Sequence, residues 1–250
     1  MMDFPATCVI IPAHNEEKAI AAVIRGARRF IPCVLVVDDG SVDRTGEQAH
    51  AAGAHVVRHA ERSGKGRALR TGFAWARAAG YDRLVTLDGD GQHDPADIPR
   101  LAAAGDAADL VIGCRTFDGA EIPRHRAWGN RMSTLWVSRL AGRRFRDSQC
   151  GFRWIRRDVL DRIGWSADGF DLETEILVRM ARMGARIAEV PVRTIYGLSG
   201  SDYRPLRDSA FFVLRCACLL HGGRRDRWTG IGPPPAPSPT AAPAVSVARE

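Results

Sequence analysis

The sequence predicts an α/β fold, a mostly parallel twisted sheet with helices on both faces, and two observations predict it. Strand-like and helix-like stretches alternate from residue 7 to about residue 115, the pattern of βαβ units. Several of the strand-like runs end abruptly in carboxylates and glycines (VVDDG, VTLDGDG), as happens where a buried strand meets a ligand at the carboxyl edge of an open sheet. From about Thr229 the composition collapses into Gly, Pro, Ala and Ser, which cannot bury a core. The expected organisation is one domain over 1–228 and a disordered Pro/Ala-rich tail over 229–250.

The strands are expected at CVIIP, VLVVDD, HVVRH, RLVTLD and DLVIGCR. They are short, apolar and β-branched, as buried parallel strands are. Helices are expected between them at Glu16–Phe30, Arg44–Ala52, Lys65–Ala79 and Ala96–Ala104. The second half is less regular: residues 127–142 and Leu172–Met183 read as helices, GFRWI and RIAEVPV as further strands. No internal repeat is visible.

Bulk properties exclude several classes. The formal charge of +7 is carried almost wholly by arginine, since Lys18 and Lys65 are the only lysines. That suits phosphate-bearing ligands or an anionic membrane face, and equally a plain composition bias. The arginines are scattered, with no aromatic-and-basic stripe and no zinc-finger spacing, which argues against nucleic acid. The six cysteines form no CxxC pairs and read as buried thiols in a reducing compartment. The polar PAHNEE segment arrives too early for a signal peptide, and no apolar stretch reaches the ~20 residues that cross a bilayer. The expected location is cytoplasmic, at most peripheral on the inner face of the plasma membrane.

The chemistry concentrates in RLVTLDGDGQHDP (83–95). Asp88 and Asp90 stand two apart with Gln92 two further on, and in an extended chain such residues point the same way. Two carboxylates and an amide oxygen suit a hard divalent cation that shares its remaining positions with phosphate oxygens. An EF-hand would need glycine at His93 and glutamate at Pro99 and fails. A phosphatase with a strand-end nucleophile would want a lysine downstream, and both lysines lie upstream.

The other motifs each have a plain alternative. In PAHNEE (12–17), Pro12 ends the strand, Asn15 caps the next helix, and Glu16 and Glu17 fill its first turn. In VVDDGSVDRTG (36–46), Asp38 or Asp39 can reach a base or a ribose hydroxyl, while Asp43 reads as a helix cap. SGKGRAL (63–69) opens a helix where amides and Lys65 can meet phosphate, or is simply a flexible helix start. DSQCGFRWI places Asp147 near a Gly-Phe-Arg turn, and FDLETE places Asp171, Glu173 and Glu175 at a helix start, where acids need no further reason. YGLSGSDYRPLRD (196–208), with Arg204 and Arg207, reads as a loop able to fold over a phosphate or as a surface connector. Ser209–Leu220 is an apolar helix too short to span, suited to packing on the domain or to a membrane interface.

In order, PAHNEE, VVDDGSVDRT, GKGRAL, LDGDGQHDP, DSQCGFR and EVPVRTIYG resemble the family 2 glycosyltransferases, with the polyprenyl- or dolichyl-phosphate sugar transferases as the closest branch. The match spans about residues 6–208. It implies a GT-A fold, a nucleotide-binding half joined to an acceptor half. It further implies that Pro12, His14 and Glu16 line the nucleotide pocket and that Asp39, with Asp38, contacts base or ribose. Asp88, Asp90 and Gln92 would hold Mg²⁺ or Mn²⁺ on the donor pyrophosphate, Arg115 would reach the donor phosphates, and Asp147 would lie beside the acceptor. The lipid-phosphate branch usually carries Gly-x-Ser-Lys where this chain has GSDYRP, with Asp202 in the lysine's place and Arg204 as its candidate replacement. Many relatives also carry C-terminal membrane helices, where this chain has its Pro/Ala tail.

The expected activity is a metal-dependent inverting transfer of a sugar from a UDP- or GDP-sugar to a lipid or lipid-phosphate acceptor. For a hydroxyl acceptor the base would be Asp147, then Glu173. Two alternatives compete. A sugar-nucleotide-forming nucleotidyltransferase would release pyrophosphate, but its glycine-rich basic loop is absent. A non-catalytic nucleotide-sugar or membrane-surface binding protein would have no need of an activating metal.

Overall fold

A computed structural model describes residues 4, 6–116, 124–163 and 172–195. The expectations for Asp171, the 196–208 loop with Arg204, the Ser209–Leu220 helix and the 229–250 tail lie outside the described residues.

Seven strands form one sheet in the order β3-β2-β1-β4-β6-β5-β7. They are β1 (Thr7–Ala13), β2 (Cys33–Asp38), β3 (His55–Arg58), β4 (Arg83–Thr86), β5 (Leu110–Thr116), β6 (Arg153–Arg156) and β7 (Ile187–Arg193). All seven fall where the sequence places them. β6 runs antiparallel to β4 and β5, and the other pairings are parallel. The first six helices are α1 (Ile20–Arg28), α2 (Thr45–Ala51), α3 (Lys65–Ala78), α4 (Ile98–Gly105), α5 (Arg124–Ala141) and α6 (Arg157–Leu160). Among the described residues α7 (Leu172–Arg182) is the last helix, and a 3₁₀ turn at Pro95–Asp97 leads into α4. The one-turn α6 was not expected; four residues carry too short a periodic signal to read.

The central strands show why the apolar runs are continuous rather than alternating. Val9, Ile10, Ile11, Val34, Leu35, Val36, Leu84 and Val85 are all buried, because helices cover the sheet on both sides. Cys8 and Cys33 are register partners on β1 and β2 and carry free thiols 3.4 Å apart.

The first motif differs from its expectation. Pro12 does not end β1 but lies inside it, paired in register with Val37. Ile10 O accepts from Leu87 N and Ala13 O accepts from Asp39 N. Alternate residues thus face β4 and β2 in turn, and Pro12 turns its missing N–H toward β4, which has already ended at Thr86. Nor is Asn15 a helix cap. It sits at φ +57°, and α1 begins five residues later, without acids in its first turn. Glu16 and Glu17 belong to a loop zipped to the β2–α2 connection. Asn15 N donates to Ser41 Oγ (3.0 Å), Glu16 N to Thr45 Oγ1 (2.7 Å) and Glu17 N to Asp43 Oδ2 (3.2 Å). In return Val42 N donates to Asn15 Oδ1 (2.9 Å) and Arg44 N to Glu17 Oε2 (3.2 Å). The acids and hydroxyls of both motifs satisfy backbone donors that no helix takes up. Asp43 does serve the start of α2, accepting from Thr45 N at 2.9 Å.

Away from that edge, Asp109 ties three segments together. It lies 3.0 Å from both Arg156 and Arg186, and the hydrogen bonds from Arg186 hold its carboxyl below the ordinary value. A folded-state pKa below the unfolded one contributes stability that is complete above about pH 4 and lost as pH falls through the folded value. The urea midpoint should therefore drop between pH 6 and pH 3, and Asp109→Asn should flatten that drop. An unchanged slope in Asp109→Asn would show that this cluster is solvated and energetically neutral.

Candidate active site

The carboxyl ends of β1, β2, β4 and β5 point to one edge of the sheet. Because β6 is antiparallel, the segment entering it (147–152) arrives at that same edge. The site is the ring of loops gathered there.

At its centre is a charge network. Lys65, the first residue of α3, places Nζ 2.7 Å from Asp88 Oδ1 and 2.8 Å from Glu173 Oε2. It therefore joins the loop after β4 to the first turn of α7. Burial works against the ammonium, but the charges of Asp88 and Glu173 raise the Lys65 pKa above its ordinary value. Asp88 is correspondingly held far below the carboxylate range, burial notwithstanding, by Lys65 and then by His93. His93 Nε2 lies 3.7 Å from Asp88 Oδ2 and 4.0 Å from Cys150 Sγ. Burial opposes its charge, yet Cys150 and Asp88 push His93 up to about 10.

Asp90 behaves oppositely. Burial, then the nearby charge of Asp88, push its carboxyl up, the response of two carboxylates sharing one site. The parity argument for Asp88, Asp90 and Gln92 does not survive as stated: β4 stops at Thr86. The chain turns at Gly91 (φ +76°), and Asp90 Oδ1 accepts from Gln92 N at 2.9 Å. What brings the carboxylates together is a turn rather than an extended strand. Among the described residues no group of three His, Cys, Asp or Glu side chains forms an all-protein cation cage. Two mutually repelling carboxylates instead fit a hard cation that completes its shell with ligand oxygens.

Gly151 makes this packing possible. A Cβ there would stand 2.6 Å from Asp88 Oδ2 and 3.0 Å from Lys65 Nζ. Gly151→Ala should displace the Asp88 carboxylate and cut turnover about a hundredfold, since small misplacements of a positioned group cost that much. Unfolding midpoint and steady-state turnover measured together would check it, and full turnover would refute the close approach.

The Arg115–Asp147 pair closes the other side. Arg115 Nε and Nη2 donate to Asp147 at 2.6 and 2.9 Å, and Gln149 N donates to Asp147 at 3.1 Å. Burial raises the Asp147 pKa, and these donors more than reverse it, leaving the carboxyl below its ordinary value. A carboxylate so held is a poor proton acceptor. Glu173, the second candidate base, spends Oε2 on Lys65, while Oε1 is buried without a hydrogen-bond partner. Glu175, its neighbour on α7, pairs with Arg179 at 2.7 Å. The fully buried Arg153 braces both sides, donating to Cys150 O, Ser148 O and Glu173 O at 2.6–3.0 Å.

On the β1–β2 side, the two aspartates part ways. Asp38 is fully buried and accepts from Ser41 N at 2.9 Å. Asp39 accepts from His59 Nδ1 (2.7 Å), Ser63 N (2.9 Å) and Gly64 N (2.7 Å). Burial pushes its pKa up, and those three donors more than offset it. The amides and the lysine read as a phosphate cradle are thus engaged by Asp39 and by Asp88 and Glu173. His14 Nδ1 donates to Asp39 O at 2.9 Å, beside the half-buried Glu16.

His59, His93, Gly151 and Arg153 escaped the sequence reading. His93 and Arg153 lay inside quoted motifs, and their signal was a polar residue flanked by chemistry-bearing ones. Nothing local marks His59.

Comparison with known proteins bears on this edge. A model of the glycosyl transferase family 2 matches residues 8–164. An undecaprenyl-phosphate mannosyltransferase of Micrococcus luteus is 36% identical over 196 residues, 73% of this chain and 81% of that protein. A polyprenol monophosphomannose synthase of Mycolicibacterium smegmatis is 32% identical over 243 residues, 90% of this chain and 91% of that protein. Among solved structures, glucosyl-3-phosphoglycerate synthase from Mycobacterium tuberculosis in complex with Mn²⁺ and UDP-glucose superposes with a TM-score of 0.65. It is 25% identical and covers 90% of this chain and 82% of its own.

Proposed function

The chain belongs to glycosyl transferase family 2 and has the GT-A fold, and we propose that it transfers a sugar, with inversion, from a nucleoside diphosphate sugar to a lipid phosphate. The relatives named above are called after undecaprenyl phosphate and after polyprenol monophosphomannose, which supports a polyprenyl phosphate as the acceptor class.

The observation that carries the choice of a phosphate over a hydroxyl is the state of the two candidate bases. Asp147 is pinned to Arg115 with a lowered pKa, and Glu173 is pinned to Lys65. A hydroxyl acceptor must lose a proton to a base. A phosphate oxygen is already anionic and needs none.

In this reading Pro12, His14, Glu16 and the Asp38–Asp39 end of β2 bound the nucleoside side. Asp88, Asp90 and Gln92 would hold Mg²⁺ or Mn²⁺, which when bound would neutralise charge growing on the departing diphosphate. Lys65 keeps Asp88 ionised and aimed, and Glu173 keeps Lys65 in place. Arg115 offers its guanidinium to phosphate oxygens, with Asp147 holding it in orientation while no phosphate is present. The acceptor oxygen forms its bond to the anomeric carbon on the face opposite the leaving diphosphate, and the pair of electrons of the broken bond departs with that diphosphate. Arg204 is proposed as a further acceptor contact.

The test is nucleoside diphosphate release with a polyprenyl phosphate or with the corresponding polyprenol, over a panel of UDP- and GDP-sugars with and without Mn²⁺ or Mg²⁺. Metal-dependent release with the phosphate alone is expected. Equal release with the alcohol would overturn the acceptor, and pyrophosphate release from a nucleoside triphosphate would overturn the reaction class. Among the described residues no helix is long and apolar enough to cross a membrane.

A further inference from the structure

α5 has two unlike faces. Thr134, Val137, Leu140 and Ala141 are buried, while Trp128 is 68% exposed, Leu135 47% and Trp136 43%. At 100° per residue Trp128, Met132, Leu135, Trp136 and Arg139 cluster on the side opposite Thr134, Val137 and Ala141. Two tryptophans and a leucine left in contact with water on one helix face is unusual for a surface with no partner. The surrounding charge is one-sided: residues 122–146 contain seven arginines and no Asp or Glu. Arg131, Arg139 and Arg144 are exposed.

We propose that the outward face of α5 is a membrane-docking surface, with its tryptophans at the level of the headgroups of an anionic bilayer and its arginines on the lipid phosphates. Tryptophan favours that interface, apolar at one end of the ring and wet at the other. Each arginine near an anionic surface adds attraction. Charge complementarity selects this occupant over the others. A second copy would bring another +7 chain to a basic face, and residues 196–250 of this chain carry seven arginines against four acids. The inference deepens the lipid-phosphate reading and rests on it for its purpose. The surface lies close to the chemistry: Ser148 N and Oγ both donate to Thr134 Oγ1 at 3.2 Å on the middle of α5. A docked α5 therefore sets the loop carrying Asp147, and with it Arg115, on the inner side of the helix, one helix diameter (~10 Å) from the headgroups.

The test is flotation of the full chain, without nucleotide sugar, with phosphatidylcholine vesicles that contain or lack phosphatidylglycerol. Binding is expected only with phosphatidylglycerol and should weaken with salt. Trp128→Ser/Trp136→Ser and Arg131→Glu/Arg139→Glu should each lower vesicle affinity about tenfold or more. Their melting temperatures should match the native protein, since all four side chains are exposed. As an independent reading, lipids brominated near the headgroup should quench native tryptophan fluorescence more than that of Trp128→Phe/Trp136→Phe. Unchanged affinity of both double variants would overturn the proposal in favour of another segment. Absence of vesicle binding would overturn it outright, as would a native dimer that Trp128→Ser/Trp136→Ser converts to monomer. The two readings fail separately. Docking through α5 without transfer to polyprenyl phosphate refutes the acceptor, and transfer in detergent without docking refutes the surface.

Discussion

Asp90→Ala is expected to remove nearly all transfer while leaving the fold intact. Burial and the charge of Asp88 already disfavour the Asp90 carboxylate in the folded chain. Removing it relieves that repulsion but forfeits the hydrogen bond from Gln92 N (2.9 Å), so the melting temperature is expected to change little. The catalytic loss is expected at roughly 10²–10³-fold in kcat, the range for deleting one group that stabilises transition-state charge. Asp90→Asn, which keeps shape and one oxygen, should retain somewhat more activity than alanine and should need a higher Mn²⁺ concentration. Near-normal turnover of Asp90→Ala would remove the carboxylate from the site chemistry altogether. A large fall in melting temperature would instead assign it a structural role.

Lys65→Met is expected to give the converse result, damage to both stability and turnover. The ammonium is the shared counter-charge of Asp88 and Glu173, at 2.7 and 2.8 Å. Breaking a buried ion pair from one side leaves an uncompensated charge and costs several kcal/mol. With the Lys65 side chain 20% exposed, the low end applies, about 3 kcal/mol or on the order of 10 °C in Tm. Pairing it with Glu173→Met should recover part of the stability, because an apolar pair of similar volume replaces the stranded charge. Turnover should stay low in the double variant, since Asp88 has lost its anchor. A single Lys65→Met variant as stable as the native protein would show that water screens this network and that Asp88 is positioned by other means.

These two outcomes separate what is legible in a sequence from what is not. The seven strands were legible because a strand covered on both faces must be apolar along its whole length, and β1, β2, β4 and β5 are each short runs of that kind. The carboxyl-edge placement of Asp39 and Asp88 followed from the same alternation, since parallel strands end on one side, while Arg115 was marked only by the family resemblance. The resemblance located the same motifs in the same order, and the family match covers residues 8–164. The local reading of PAHNEE failed for a specific reason. Asn and Glu before an apolar stretch fit a helix cap equally well as donors and acceptors to a neighbouring loop. The choice was made by Ser41, Asp43 and Thr45, residues 26 to 29 positions away in the chain.

The pairing of charges was likewise invisible. Lys65 meets Glu173 across 108 positions, and Arg115 meets Asp147 across 32. Nothing in either local pattern distinguishes a lysine that cradles phosphate from one that anchors two acids. By itself, then, the sequence determined the alternation of elements, the edge where chemistry collects and the residue types available there, because those follow from periodicity and from the burial of one strand at a time. Only the tertiary structure decided the direction of β6, the partner of each charge and therefore which carboxylates are ionised, aimed or unfit to take a proton. Those depend on distances between segments far apart in the chain, and electrostatic energy falls with distance in space, not with separation in sequence.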